Sequence, residues 1–307
     1  MAALAGALAC RAPDHARTTD SLPLLRHPSL LSDPAKLRDA TSTGRFTHPA
    51  MLEASGLVRA TREPGVFWSH NDSGNDERLF AFDSAGRALA VARVNGARNR
   101  DWEALSLGPC ARVSCVYLGD VGDNSARRRD VTLWRFPEPT TQDTVIASAQ
   151  RVVFRYADGP RDVEAIWVTP DTSVFLLTKR PDKDRSGHFR PARIYRIPAS
   201  AWHTDAVVTA EIVDSLPIVP TPDASPGWIT DAAVSVAEHR LAVRTYRDVF
   251  VFGVDSLTWR PTALVARCSL RTLREGYQGE GVTWLADGRL LFVAEGKRAQ
   301  LHTGRCP

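Results

Sequence analysis

Apolar residues recur along this chain in short runs broken by Gly, Pro, Asn and Asp. That is the pattern of β-strands joined by turns, not of helices. After Glu53 such runs start at Val66, Arg78 and Ala88. After Glu103 they start at Cys115, Val131 and Arg151; after Glu164, at Val174, Arg193 and Ala210. After Asp231 they start at Arg240, Asp248 and Ala263. After Glu280 only the runs at Arg289 and Ala299 remain before the chain ends.

Five segments open alike, with an acid, then Ala or Gly, then a short apolar strand. They begin at Glu53, Glu103, Glu164, Asp231 and Glu280, roughly 50–65 residues apart. Each opening strand plus three followers makes a four-stranded unit. Such units repeated about an axis predict an all-β fold, a β-propeller. Five blades are expected, or six if the N-terminal region hides a degenerate one. The last unit lacks an outer strand, which the stretch around Arg45 to Thr47 supplies to close the ring. The competing arrangement is a β-sandwich in which the acids fall in period by chance.

The repeat carries a chemical consequence. In an antiparallel unit the start of strand one and the end of strand two share a face. The five acids therefore ring one mouth of the central channel. The loops after each second strand surround it: His70 to Asn75, Gly119 to Asn124, Thr178 to Asp182, Arg244 to Asp248 and Ala294 to Arg298.

Carboxylates crowded at an axis repel one another unless a cation compensates them. Calcium, with six to eight oxygen ligands in loose geometry, suits such a ring. Glu53, Glu103, Glu164, Asp231 and Glu280 are the candidate ligands, with Asp72, Asp120, Asp123 and Asn124 placed for a second, peripheral ion. The plainer reading of Asp120 to Asn124 is a turn whose acids bond their own backbone. No His/Cys cluster has zinc spacing.

Arg100, Lys179, Arg180, Arg244, Arg247 and Lys297 fall near the same face and are candidates for holding an anionic ligand. In an enzyme, Glu103 or Glu164 would orient or deprotonate a water and His70 would carry a proton. The alternative is a non-catalytic platform that binds a ligand or a partner. The tryptophans fall within strand patterns and are expected mostly to pack blade against blade.

The strand starts Asp101-Trp102-Glu103, Asp162-Val163-Glu164 and Gln278-Gly279-Glu280-Gly281 carry a resemblance. They are similar to the D-x-E or E-G starts of phytase-like propellers and senescence-marker lactonases. The plan of residues 45–307 also resembles five-bladed calcium-dependent apyrases in blade number. The resemblance implies a central calcium held by the inner acids. It does not extend to a full catalytic signature of any of these families.

Composition bounds the rest. A chain of 307 residues with 43% apolar content fits one propeller domain over 45–307. The net charge of +4 comes without a dense Lys/Arg run, which argues against a nucleic-acid partner. No apolar run approaches a membrane span. A small anionic molecule or a cell-surface ligand is the expected partner, and a monomer the expected state.

Of the five cysteines, Cys110 and Cys115 flank a turn and are placed to bridge locally. A Cys268–Cys306 bridge would pin the closing blade to its neighbour. Both imply an oxidising compartment. Residues 1–9 read as a signal-like segment, with Ala7-Leu8-Ala9 matching a cleavage pattern and Cys10 at a lipidation position. Residues 10–44 read as a tether or arm. Export is the expectation, to the periplasm, the cell envelope or the medium.

Overall fold

The strands run as the apolar pattern requires, each burying alternate side chains on opposite faces. The computed structural model describes residues 33–147, 149–218, 227–273 and 278–307. The signal-like segment, Cys10 and the tether up to residue 32 lie outside the described residues.

The chain begins with β1 (Ala35–Lys36) and β2 (Arg38–Arg45). The first meander is β3 (Ala54–Arg59), β4 (Phe67–Asn71), β5 (Arg78–Phe82) and β6 (Ala88–Val94). The second is β7 (Trp102–Cys110), β8 (Val113–Asp120), β9 (Val131–Pro137) and, after the short β10 (Val145–Ile146), β11 (Gln150–Tyr156). The third is β12 (Val163–Val168), β13 (Val174–Thr178), β14 (Ala192–Ile197) and β15 (Val208–Leu216). The fourth is β16 (Ile229–Ser235), β17 (Arg240–Thr245), β18 (Asp248–Val254) and β19 (Pro261–Ser269). The last is β20 (Gly279–Trp284), β21 (Leu290–Ala294) and β22 (Gln300–Arg305), with β2 as its fourth strand.

The first strands of the meanders pack in a closed cycle, β3 on β7, β7 on β12, β12 on β16, β16 on β20 and β20 back on β3. That closure makes the molecule an all-β propeller. Each junction between neighbours has its own apolar cluster. Trp68 and Leu79 meet Trp102 and Leu118, for example, and Phe175 and Leu177 meet Leu241 and Phe252. Along β8, Cys115 and Tyr117 face one junction while Val116 and Leu118 face the other. Both faces of an inner strand are therefore dry, which is why such strands read as continuous apolar runs. Each fully buried Leu or Phe contributes about 1.5–3 kcal/mol, so the junctions hold the ring together.

The outer strands of the first four meanders each pair with a further strand. β10 pairs in parallel with β6, and β1 with β19. β11 and β15 pair in parallel, joining the second and third meanders into one eight-stranded sheet. Such pairing removes exposed edges that would template aggregation. Cys110–Cys115 closes the β7–β8 turn, and Cys268–Cys306 ties the end of β19 to the chain after β22, as their spacing suggested.

The closing strand lies at Arg38–Arg45, upstream of the expected Arg45 to Thr47 and inside the stretch read as a tether. Its side chains are nearly all exposed or half-exposed, so no apolar period announces it. Its pairing is antiparallel to β22 and irregular, with register shifts on either side of Thr41 and Ser42.

Candidate functional site

Every first strand is irregular near the same mouth. The pairing register shifts between Ala54 and Leu57, Trp102 and Ala104, Val163 and Ala165, Ile229 and Asp231, and Gly279 and Val282. A bulge leaves one residue unpaired and re-aims its side chain. Glu103, Glu164 and Thr230 are the skipped residues in β7, β12 and β16. In β3 and β20 the skipped pairs are Ser55-Gly56 and Glu280-Gly281. Ser55 Oγ donates to the Glu103 carbonyl at 2.8 Å, and Thr230 Oγ1 donates to the Glu280 carbonyl at 2.9 Å. These matching bonds place Ser55 and Thr230 in the positions that glutamates hold elsewhere.

The expected ring of five acids is therefore three glutamates and two hydroxyls. Glu53 precedes Ser55 by two residues and sits exposed at the rim, where its Oε2 accepts from Asn75 Nδ2 at 2.6 Å. Asp231 follows Thr230 by one residue and is fully buried. Its carboxylate accepts the Ala232 and Val282 amides, each at 2.8 Å. A carboxylate so occupied is a strut between neighbouring meanders, not a metal ligand. In β20 the bulge needs Gly281, because a Cβ there would lie 2.6 Å from the Ser55 carbonyl oxygen.

Glu103, Glu164 and Glu280 are each 3% exposed or less. Among them reaches Lys179, whose Nζ lies 2.5 Å from Glu164 Oε1. Burial opposes the Lys179 charge, but Glu164, Tyr246, Glu103 and Glu280 together raise its pKa above the ordinary lysine range. Burial pushes Glu164 up to about 8 against the pull of Lys179. Burial and the Glu164 charge push Glu103 and Glu280 well above ordinary values. Glu103 Oε2 accepts from Ser55 Oγ at 3.3 Å, and the charges of Glu164 and Asp72 both act on it. The cation at the ring is thus a lysine ammonium, and Lys179 is a counter-ion to the glutamates.

Just outside, Asp72, Asp101 and Glu103 bring one carboxylate oxygen each within 4.8 Å of one another. Oxygens bound to one calcium at about 2.3–2.6 Å fall within such a span. Burial, with the charges of Asp72, Asp162 and Asp120 and against that of Arg128, raises Asp101 to about 6. Burial raises Asp72 as well. The backbone makes room: a Cβ at Gly122 would meet Asp101 Cγ and Glu103 Oε1, both at 2.6 Å. This triad can hold a metal.

The other expected residues are placed as follows. Asp120 pairs with Arg128 at 2.8 Å and accepts the Asp101 amide at 3.1 Å. Asp123 accepts the Arg128 amide at 2.6 Å, and Arg128 Nη1 donates to the Gly122 carbonyl at 2.7 Å. An arginine does in this loop what a peripheral ion was expected to do. Arg180 donates to Asn124 Oδ1 at 2.8 Å and lies 4.0 Å over the Trp228 ring. Arg100 and Lys297 are exposed, and Arg247 half-buried.

Arg244 is not at the surface. It is fully buried and donates to the Gly281 and Val293 carbonyls at 2.8 and 2.7 Å, so it serves packing and not an anion. His70 is likewise fully buried, edge-on to Trp102 at 5.8 Å. Burial lowers it to about 4, against a bond to the Asn71 carbonyl. Burial favours its neutral form, and its ring packs against Trp102, which speaks against a proton carrier at the mouth.

Sequence reasoning missed Asp101, although the D-x-E start at Asp101 was in view. It also missed Ser55, Thr230 and Arg128. Only the E-A or E-G match to a bulged strand, aligned on the second strand, would have exposed the first two.

No protein-family model and no curated protein sequence matches the chain. Among solved structures it is similar to a glucose dehydrogenase at 11% identity, covering 87% of this chain and 99% of that one, with a TM-score of 0.49. A soluble aldose sugar dehydrogenase from Escherichia coli gives 12% identity, 88% and 99% coverage and a TM-score of 0.49. A gluconolactonase from Xanthomonas campestris gives 12%, 90% and 98%, and 0.40. At such identities and scores nothing about this chain's activity follows from them.

Proposed function

We propose that the chain is an exported propeller that binds calcium at its acidic mouth and hydrolyses a small anionic substrate there, such as a phosphate ester. One observation carries the reading: Asp72, Asp101 and Glu103 converge within 4.8 Å at the channel mouth, directly outside the Glu164–Lys179 pair. Calcium on this triad would polarise a phosphoryl or acyl oxygen and acidify a water. Glu103 belongs to both the triad and the ring, where the Glu164 charge acts on it. Glu164, when ionised beside Lys179, would accept a proton from that water. Arg180 and Arg100 stand on the rim for the anionic part of a substrate.

Two disulfides support an oxidising compartment, hence export. No helix of the described residues is long and apolar enough to cross a membrane. The inner acids also support the resemblance to calcium-dependent propellers of the phytase-like, apyrase and lactonase kinds.

Calorimetric calcium titration followed by a panel of phosphate esters, nucleotides and lactones tests the reading. Calcium-dependent turnover that Glu164→Gln abolishes is the expected result. Absence of calcium binding overturns it. A second reading, a binding platform without chemistry, is favoured by Lys179 already pairing with Glu164. Calcium binding with no turnover on any substrate would select it.

A further inference from the structure

The first strands run from the acidic mouth to a second mouth at the other end of the channel. There Arg59, Leu107, Ser235 and Trp284 surround a cavity of about 360 Å³. That volume is in the range of small-ligand pockets, roughly 300–1,000 Å³. Its walls mix apolar groups, from Leu57, Leu105, Val234 and the Trp284 ring, with the polar Thr61, Ser106 and Thr283. Alanines at 232 and 233 leave the space unfilled.

Two charged groups line it, Arg59 and Glu238. Glu238 lies at the exposed rim and faces Arg240 at 3.9 Å. Arg59 crosses from the first meander to the last, its Nε donating to the Trp284 carbonyl at 3.0 Å. Its two terminal nitrogens have no hydrogen-bond or ion-pair partner among the described residues. The bond to Trp284 fixes the guanidinium at the cavity wall with its outer fork unspent. Trp284 is fixed in turn, its indole N–H donating to the Ala233 carbonyl at 2.9 Å.

We propose that this second mouth binds a small amphipathic carboxylate, its apolar tail against Leu105 and Trp284 and its carboxylate on Arg59. A guanidinium fork matches a carboxylate in two parallel hydrogen bonds. One arginine balances one negative charge, so a phosphate dianion fits less well. A neutral apolar molecule would leave the fork unpaired. The site shares no residue with the acidic mouth and does not depend on a metal there.

Octanoate is the probe, with octanamide as its neutral counterpart, each titrated by calorimetry and by backbone amide NMR shifts in calcium-free buffer. Wild-type protein is expected to bind octanoate at one saturable site, with shifts centred on Leu105, Ala233 and Trp284. Arg59→Met should weaken octanoate by about tenfold or more and leave octanamide unchanged. Val236 is 54% exposed at the rim, so Val236→Trp should fold normally and weaken both ligands. Should Arg59→Met fail to fold, Val236→Trp and the octanoate-to-octanamide ratio in wild-type protein decide the matter. No saturable octanoate binding overturns the proposal. So do equal affinities for the two ligands, shifts confined to the acidic mouth, or binding that Val236→Trp leaves intact.

Discussion

Lys179 places its ammonium 2.5 Å from the Glu164 carboxylate, inside a ring where two further glutamates and two hydroxyls complete the circle. One glutamate charge is thereby balanced from within, and burial favours the neutral form of the other two. The carboxylates able to hold a metal lie one step outward, where Asp72 and Asp101 join Glu103. The two layers share Glu103, so removing a charge from either is felt in the other.

Lys179→Met removes an ammonium that acts on all three glutamates. Breaking a buried ion pair on one side costs about 3–5 kcal/mol. The loss should shrink at acid pH, where the orphaned Glu164 takes up a proton. Denaturant unfolding near pH 5 and pH 8 checks this. Adding Glu164→Gln to the lysine variant should recover part of the stability, as coupled sites do. Equal losses at both pH values would contradict the pairing.

The raised carboxyls set a stability trend. Asp101 is raised to about 6 and Glu164 to about 8, so each binds its proton more tightly folded than unfolded. Their contribution is fully present below the ordinary carboxylate range. It is lost as pH rises through about 6 and then about 8. Chelator-treated protein should therefore lose stability between about pH 5 and pH 9, read as a falling thermal midpoint. At the proposed calcium site the ion would replace the proton on Asp101 and flatten the lower part of that fall. A midpoint that rises over this range in chelator would contradict the account.

Asp231 and Glu103 separate strut from ligand. Asp231→Ala leaves the Ala232 and Val282 amides without an acceptor, a loss of about 3 kcal/mol that calcium should not change. Glu103→Gln should weaken calcium binding while leaving calcium-free stability unchanged or improved, since it removes a buried ionisable group. Unfolding curves of both variants with and without calcium distinguish them.

The fold was legible because both faces of each inner strand are dry, as in β8 and β13, and the apolar runs show it. The closing strand was not, because β2 is solvated along its length and carries Thr, Ser and Gly. The mouth was legible in part. Glu103, Glu164 and Glu280 stand where the repeat put them. Glu53 and Asp231 look like the same motif but are displaced by two residues and by one. A bulge is invisible in a one-dimensional period, and the hydroxyls of Ser55 and Thr230 carry no charge to draw notice. Arg244 read as an anion holder for the same reason: nothing in Arg244-Thr245-Tyr246 tells a buried arginine from an exposed one.

Gly122 offers a backbone route to the same site. A Cβ at Gly122 would press on Asp101 and Glu103 at 2.6 Å. Gly122→Ala should weaken calcium by about tenfold, through displaced ligands, while strand pairing of β8 with β9 persists in amide exchange. Unchanged affinity would show that the two carboxylates do not act together.

The most direct measurement is a calorimetric calcium titration of the wild-type protein beside Asp101→Asn. The account predicts one saturable site per chain in the wild type and its loss in the variant, with the thermal midpoint in chelator preserved. A wild-type protein that takes up no calcium, or a variant that binds it equally well, would contradict it.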